Sequence, residues 1–355
     1  MRTRGVYLAG VGMFLPAAQS IESAVRQGLV PAATAAEYDL AGVAVAGRLS
    51  APEMALSAAQ EALKNSGRSP RDIGLLLHTG VWHQGPDGWG PQAYLQRHLL
   101  GDDLLAVEVR NGCNGTFSAL ELAAAYLKAS PEIPAALITA SDNFGTRLID
   151  RWRPGAGVSY LGDGAGAVVV STTTGFAEVR SLCSATFSEM EEAHRSGVPL
   201  FPPTATAGDA LDYGARSADF QRRAEADGSW VRLLLGHQRH NLECTERALE
   251  EAGVTADDIG HVLIHSMPRQ AAASYLKILG FSLERSTWGF SRTVGHLGAS
   301  DHVAALHHLV STDVLEAGDH LLLCGFSPGV TYKAAVLRVL GPHPSQKREA
   351  RPSGL

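Results

Sequence analysis

Apolar and polar positions along the chain form a pattern that occurs twice. Residues 58–77, AAQEALKNSGRSPRDIGLLL, read as an amphipathic helix, a glycine stop, a polar turn and a buried strand. Residues 244–263, CTERALEEAGVTADDIGHVL, read the same way at an offset of 186. Identities fall at Ala62/Ala248, Leu63/Leu249, Gly67/Gly253, Asp72/Asp258, Ile73/Ile259, Gly74/Gly260 and Leu77/Leu263, so punctuation and hydrophobic spacing are in register together. A second echo lies 183 residues apart. Gly112-Cys113-x-Gly115 precedes the helical stretch SALELAAAYLKAS and the strand PAALITASD; Gly295-His296-x-Gly298 precedes SDHVAALHHLVST and HLLLCGFS.

Strands alternating with helices predict a layered α/β fold with buried, largely parallel strands. The repeat divides the chain into residues 1–172 and 173–342, followed by a polar tail, 343–355, expected to be disordered. The looser stretch 185–230, with PLFPPTATAG and DFQRRAEADGSW, reads either as a lid or as a plain surface insertion. At the N-terminus, Gly10 and Gly12 interrupt the apolar run, so VYLAGVGMFLP reads as a first strand ending in a proline turn rather than a secretory signal. No stretch of 18 uninterrupted apolar residues predicts a membrane span.

Composition narrows the function classes. The 355 residues, 45% hydrophobic and 19% charged, can bury a large core and are not those of a disordered chain. A net charge of −6 argues against nucleic acid as the main partner. The cysteines at 113, 183, 244 and 324 show neither zinc nor disulfide spacing. They read as reduced thiols of a cytoplasmic enzyme, with no metal or cofactor implied.

Three residues carry candidate chemistry. Cys113, in VRNGCNGT, comes just before an Ala/Leu-rich helix, where the positive end of the dipole favours a thiolate and flanking glycines free backbone N–H groups. A small cysteine packing a turn is an equal reading of the local residues. His265 ends the apolar run HVLIH, at a strand tip of the kind that lines α/β sites. His296 stands at the position internally equivalent to Cys113, which predicts that both helix starts meet at a pseudo-twofold axis. The segment from Asp163 to Val170, DGAGAVVV, precedes a strand and lacks a phosphate-loop lysine, so it reads as close backbone packing. The matching turn FSPGVTY offers the Gly329 N–H as an oxyanion donor.

Taken together these segments resemble the ketoacyl synthase III-type enzymes of the thiolase superfamily. LGDGAGAVVV is similar to that family's F-G-D-G-A-G-A-V, NGCNGTFSAL to its nucleophile segment, and IHSMPRQ to its P-H-Q-A-N. VGHLGAS resembles H-G-N-T-S-A-A-S, and SPGVTYKAAVLRV resembles G-G-G-F-T-W-G-S-A-L. The resemblance implies a thiolase fold, in which duplicated αβαβα halves form a five-layered sandwich with pseudo-twofold symmetry. It implies Cys113 as nucleophile, His265 as catalytic histidine, and the backbone N–H groups of Cys113 and Gly329 as the oxyanion hole. It also implies a homodimer in which an aromatic residue of one subunit borders the other's acyl pocket; Trp89 falls near that position. Trp82, His83, Asn111 and Asn114 are further pocket candidates.

Departures from the family pattern sharpen the expectation. His296 stands where the family has asparagine, which donates a hydrogen bond but takes no proton; histidine does both. YDLAGVAVAGRLSAPEMA replaces the family's coenzyme A-binding W-I-x-x-R-T-G-I, and Pro328 interrupts its triple glycine. These changes resemble the acyltransferase subgroup of natural-product pathways. The expected reaction moves an acyl group from a carrier-protein or coenzyme A thioester onto Cys113. It then passes to an amine or hydroxyl of a small acceptor such as an aminocyclitol or sugar, and the acyl group can be of the salicylate type. In this scheme His265 assists thiolate formation and His296 deprotonates the acceptor. The alternative is a decarboxylating synthase that forms a C–C bond with a malonyl thioester.

Overall fold

The computed structural model describes residues 1–153, 155, 158–202 and 208–344. Both copies of the repeat fold as the spacing predicts. Helix Ala51–Ser66 ends on Gly67 (φ 68°), and helix Trp230–Ala252 ends on Gly253 (φ 75°); both glycines adopt the left-handed conformation that stops a helix. Each is followed by a reciprocal capping box, Ser69 with Asp72 and Thr255 with Asp258, and then by a buried strand.

The strands are β1 Tyr7–Phe14, β2 Ala18–Ser20, β3 Gly42–Ala44, β4 Ile73–Thr79, β5 Leu105–Val109, β6 Ala135–Asp142, β7 Gly164–Ser171, β8 Ala177–Thr186, β9 Ile259–Leu263, β10 His320–Ser327 and β11 Thr331–Val339. Nine of them run in the order β5-β4-β6-β7-β1-β8-β11-β10-β9. The order is mirrored about the β1–β8 contact. β4 is parallel to β5 and β6, and β7 is antiparallel to β6 and β1. Likewise β9 is parallel to β10, and β11 is antiparallel to β10 and β8. A parallel bridge from Val262 to Ser286 stands where β5 stands in the first half.

Side-chain alternation turns the strands into layers. Ala136 and Ile138 of β6, and Leu321 and Leu323 of β10, face one shared core with helices Gly115–Ala129 and Asp301–Ser311. Ala135 and Leu137 face helix Ala51–Ser66 instead, while Leu322 and Cys324 face helix Trp230–Ala252. The fold is therefore the five-layered thiolase sandwich, with a central helix pair between the two halves of the nine-stranded sheet and a helical layer outside each. Close packing explains the glycines of β1: a Cβ on Gly12 would lie 2.2 Å from the Ala58 carbonyl oxygen.

Of the expected disordered tail, residues 345–355 lie outside the described residues. His343 is ordered and buried, and its Nε2 accepts the Val11 N–H at 3.2 Å. No helix among the described residues is long and apolar enough to cross a membrane.

Candidate active site

The two helix starts meet where the repeat predicts. Gly112 takes a left-handed turn (φ 51°) and delivers Cys113 in a short 3-10 turn ahead of helix Gly115–Ala129. Gly115 lies so close to β4 that a Cβ there would sit 1.9 Å from Thr79 Oγ1. The Thr116 hydroxyl donates to the Ala299 carbonyl at 2.6 Å, tying the cysteine helix to the turn that follows His296. The LGDGAG segment holds His296 from the other side: the His296 N–H donates to Tyr160 O at 2.8 Å, and the Gly162 N–H to His296 O at 2.9 Å. This is the close backbone packing expected of those glycines; a Cβ on Gly162 would lie 2.3 Å from Val294 O.

The result is a chain of three side chains. Cys113 Sγ is 3.0 Å from His296 Nε2, and His296 Nδ1 is 2.5 Å from Asp301 Oδ2. Asp301, the first residue of its helix, also accepts the Leu297 N–H at 2.6 Å and the Ser266 N–H at 2.9 Å. Burial alone would depress His296, but the Asp301 carboxylate and the Cys113 sulfur outweigh it and hold the imidazole well above its usual range. Asp301 pays for its own burial through the two histidines, which hold it far below the usual carboxylate range. His296 therefore carries both ring protons, one toward Asp301 and one toward sulfur.

His265 plays a different part. Its Nδ1 stands 3.6 Å from Asp301 Oδ2, beyond hydrogen-bond length, and among the described residues neither ring nitrogen makes a hydrogen bond. Burial lowers its pKa despite Asp301, so it is neutral. His302 packs edge-on at 4.5 Å and donates from Nε2 to Cys324 O at 3.0 Å; burial pushes it down to about 3. Thus Cys113 is paired with His296 and not with His265, the residue expected to assist the thiolate.

A cavity of about 90 Å³ opens onto Cys113, His265 and His296. Most of its wall is apolar, from Val81, Trp82, Phe144, Ile149, Leu161 and Phe326. The region 185–230 supplies a further part of the wall through His194, Leu211, Tyr213 and Ser217, so it is part of the site and not merely surface. Trp82 lines the cavity as expected. His83, Trp89, Asn111 and Asn114 do not, because their polar or ring contacts lie elsewhere. His83 donates to Pro86 O, and Trp89 packs edge-on against Tyr94 at 6.4 Å. Asn111 donates to Ser118 Oγ at 2.8 Å, and Asn114 donates to Thr331 O at 3.0 Å, both bracing the cysteine loop. Gly329 is also outside the lining: the β10–β11 turn presents Ser327 and Pro328 instead.

Burial pushes the Cys244 and Cys324 thiols up to about 12 and raises Cys183, leaving Cys113 as the partly exposed thiol on the cavity. Among the described residues, His265, His296 and Asp301 place possible metal donors within 4.8 Å of one another. The Asp301 oxygens are already committed to His296, Leu297 and Ser266, which does not fit a metal ligand awaiting an ion.

Comparison with known proteins decides the family. The model of 3-oxoacyl-(acyl-carrier-protein) synthase III matches residues 107–188, and that of its C-terminal region matches residues 249–339. Acetoacetyl CoA synthase NphT7 of Streptomyces sp. (strain CL190) is 30% identical over 80% of this chain and 83% of its own. The chain belongs to the ketoacyl synthase III family. Among solved structures, the acyltransferase ChlB3 is 50% identical, with a TM-score of 0.89 over 96% of this chain and 99% of its own. The synthase III of Aquifex aeolicus VF5, 20% identical over 94% of this chain and 99% of its own, shares the fold at a TM-score of 0.75. The chain is thus a ketoacyl synthase III-type enzyme of the thiolase superfamily. Within that setting Asp301 is the functional residue that sequence reasoning missed; an acidic residue in a first helical turn looks like ordinary dipole capping.

Proposed function

We propose that this enzyme is an acyltransferase that works through an acyl-Cys113 intermediate and delivers the acyl group to an amine or hydroxyl of a small acceptor. The observation that carries this reading is the line Cys113–His296–Asp301. A histidine backed by a buried carboxylate is a base, and an N–H or O–H acceptor needs a base. Decarboxylation of a malonyl thioester needs only hydrogen-bond donors on the enolate. The similarity to ChlB3, an acyltransferase, supports the same reading.

In the first half-reaction the Cys113 sulfur attacks the thioester carbonyl and forms an S–C bond. The tetrahedral adduct collapses, the C–S bond to the donor breaks, and the His296 Nε2 proton passes to the departing thiolate. His296 is then neutral at Nε2. In the second half-reaction it takes the proton of the acceptor N–H or O–H as that atom attacks the acyl carbon. Collapse releases the ester or amide and restores the thiolate beside protonated His296. His265, neutral and without a hydrogen bond at either nitrogen among the described residues, lines the same cavity and in this reading hydrogen-bonds the incoming acceptor. The small apolar cavity suits a compact acyl group, including one of the salicylate type. The donor is a thioester on a carrier protein or on coenzyme A, the thioester carriers named for the matched family and NphT7.

The condensing alternative is favoured by one observation, the likeness to NphT7, an acetoacetyl CoA synthase by name. A chase of the acyl-enzyme with malonyl thioester separates the two. We also infer a homodimer. β5 is one edge of the sheet, with Leu105 and Val107 exposed at 49% and 37%, and an apolar edge of this kind fits a second copy of the same edge. Cys113→Ala is the direct test of the chemistry: mass spectrometry after incubation with acyl thioesters is expected to show an adduct on the wild type alone. An adduct that persists in the variant would overturn the assignment.

A further inference from the structure

Attack on a thioester carbonyl puts negative charge on its oxygen, and the site must aim donors at it. The Cys113 N–H is the first that the resemblance implies. The turn expected to give the second presents Ser327 and Pro328 to the cavity, and proline has no N–H. The Ser327 hydroxyl is engaged with Thr331 Oγ1 at 2.6 Å, in a chain that runs on to Asn111. One hydroxyl in the wall that Cys113 shares remains unengaged: Tyr213. Among the described residues it makes no hydrogen bond that would use its proton.

Its mount is rigid. Tyr213 opens helix Tyr213–Ala226, two residues after Leu211 pairs with Ile149 in a parallel bridge and donates to Leu148 O at 2.7 Å. Gly155 (φ 109°) packs against the start of the same helix; a Cβ there would lie 2.5 Å from the Gly214 nitrogen. The ring meets His194 edge-on at 5.8 Å. Burial pushes the phenol up to about 12, and the nearby Cys113 charge adds to the shift, so the hydroxyl keeps its proton at neutral pH.

We propose that the Tyr213 hydroxyl is the second oxyanion donor of this enzyme, taking the place of the expected Gly329 N–H, because the turn presents Ser327 and Pro328 to the cavity instead. The inference rests on the acyl-cysteine reading above. It makes the 185–230 region a catalytic element of the site.

The test compares wild type with Tyr213→Phe, which keeps the ring and its packing. Acylation of Cys113 by benzoyl-N-acetylcysteamine is followed by rapid quench and intact mass, alongside alkylation of Cys113 by iodoacetamide, which develops no oxyanion. Loss of one oxyanion donor slows acylation by about 10²–10³-fold, with alkylation unchanged and KM little affected. Equal acylation rates in the two proteins would overturn the role of Tyr213 while leaving the acyl-enzyme intact. A parallel loss of acylation and alkylation would also overturn it, showing that Tyr213 only positions the thiol. If the wild type itself never acylates, the acyl-cysteine reading fails first.

Discussion

Asp301→Asn tests the central geometry most sharply among single substitutions. The carboxylate now satisfies three donors: His296 Nδ1–H, the Leu297 N–H and the Ser266 N–H. An amide in the same place keeps one acceptor for Leu297 but turns an NH₂ toward the other two. His296 relieves the clash by losing its Nδ1 proton, which leaves a neutral ring with Nε2–H toward Cys113 and no lone pair for the proton of the thiol or the acceptor. Breaking a buried charge pair costs about 3–5 kcal/mol of stability, and losing the general base at His296 Nε2 costs about 10²–10⁴-fold in activity. The pH dependence follows from the signs. His296 is raised on folding, so its contribution to stability is complete below about pH 6.5 and is lost as pH rises through the higher folded value. Asp301 is depressed, so its contribution is present above about pH 3.9 and is lost as pH falls through the folded value. The stability gap between wild type and variant is therefore widest in mildly acidic solution and narrows under alkaline conditions. Acyl-Cys113 formation by rapid quench, with iodoacetamide alkylation and thermal melts across pH, measures all of this. A variant that acylates at the wild-type rate, with an unchanged alkylation profile, refutes the reasoning.

Other substitutions probe separate parts of the account. Gly325→Ala would place a Cβ 2.3 Å from His265 Nε2; overpacking of about 1–3 kcal/mol should lower the melting temperature and impair transfer, while alkylation of Cys113, paired with His296, continues. Asp142 accepts the N–H groups of Val81, Trp82 and Ala299 at 2.8, 3.0 and 3.2 Å, pinning the Trp82 wall to the turn beyond His296. Asp142→Ala orphans these donors at about 1–3 kcal/mol each, so an unchanged melting curve would show that the pin carries no stability. Leu105→Lys on the β5 edge should convert a dimer to monomers in light scattering; a dimer that survives it is built on another surface.

Much of the fold was legible because the punctuation repeats with the hydrophobic pattern. Gly67 and Gly253, and the Ser69/Asp72 and Thr255/Asp258 boxes, are local devices that act the same way in both halves. Cys113 and His296 were legible as a pair for the same reason, since equivalent helix starts meet at the axis between the halves. Asp301 was not, because its meaning depends on three donors that converge only in space. Nor was the wall of His194, Leu211 and Tyr213: it comes from an insertion with no periodic signal, placed by one bridge to Ile149 and by packing at Gly155. Gly329 was expected to offer its N–H, whereas its neighbours Ser327 and Pro328 are the ones that line the cavity. Asn111 and Asn114 lie beside the nucleophile in sequence, but their amide N–H groups are turned to holding its loop.

The most direct measurement is the fate of the acyl-enzyme. Wild type and Cys113→Ala are loaded with an acyl thioester, and intact mass is followed through separate chases with an aminocyclitol or amino sugar and with a malonyl thioester. The account predicts an adduct on the wild type alone, cleared by the amine or hydroxyl acceptor and untouched by malonyl. Clearance by malonyl with release of carbon dioxide would contradict it and make the protein a C–C bond-forming synthase.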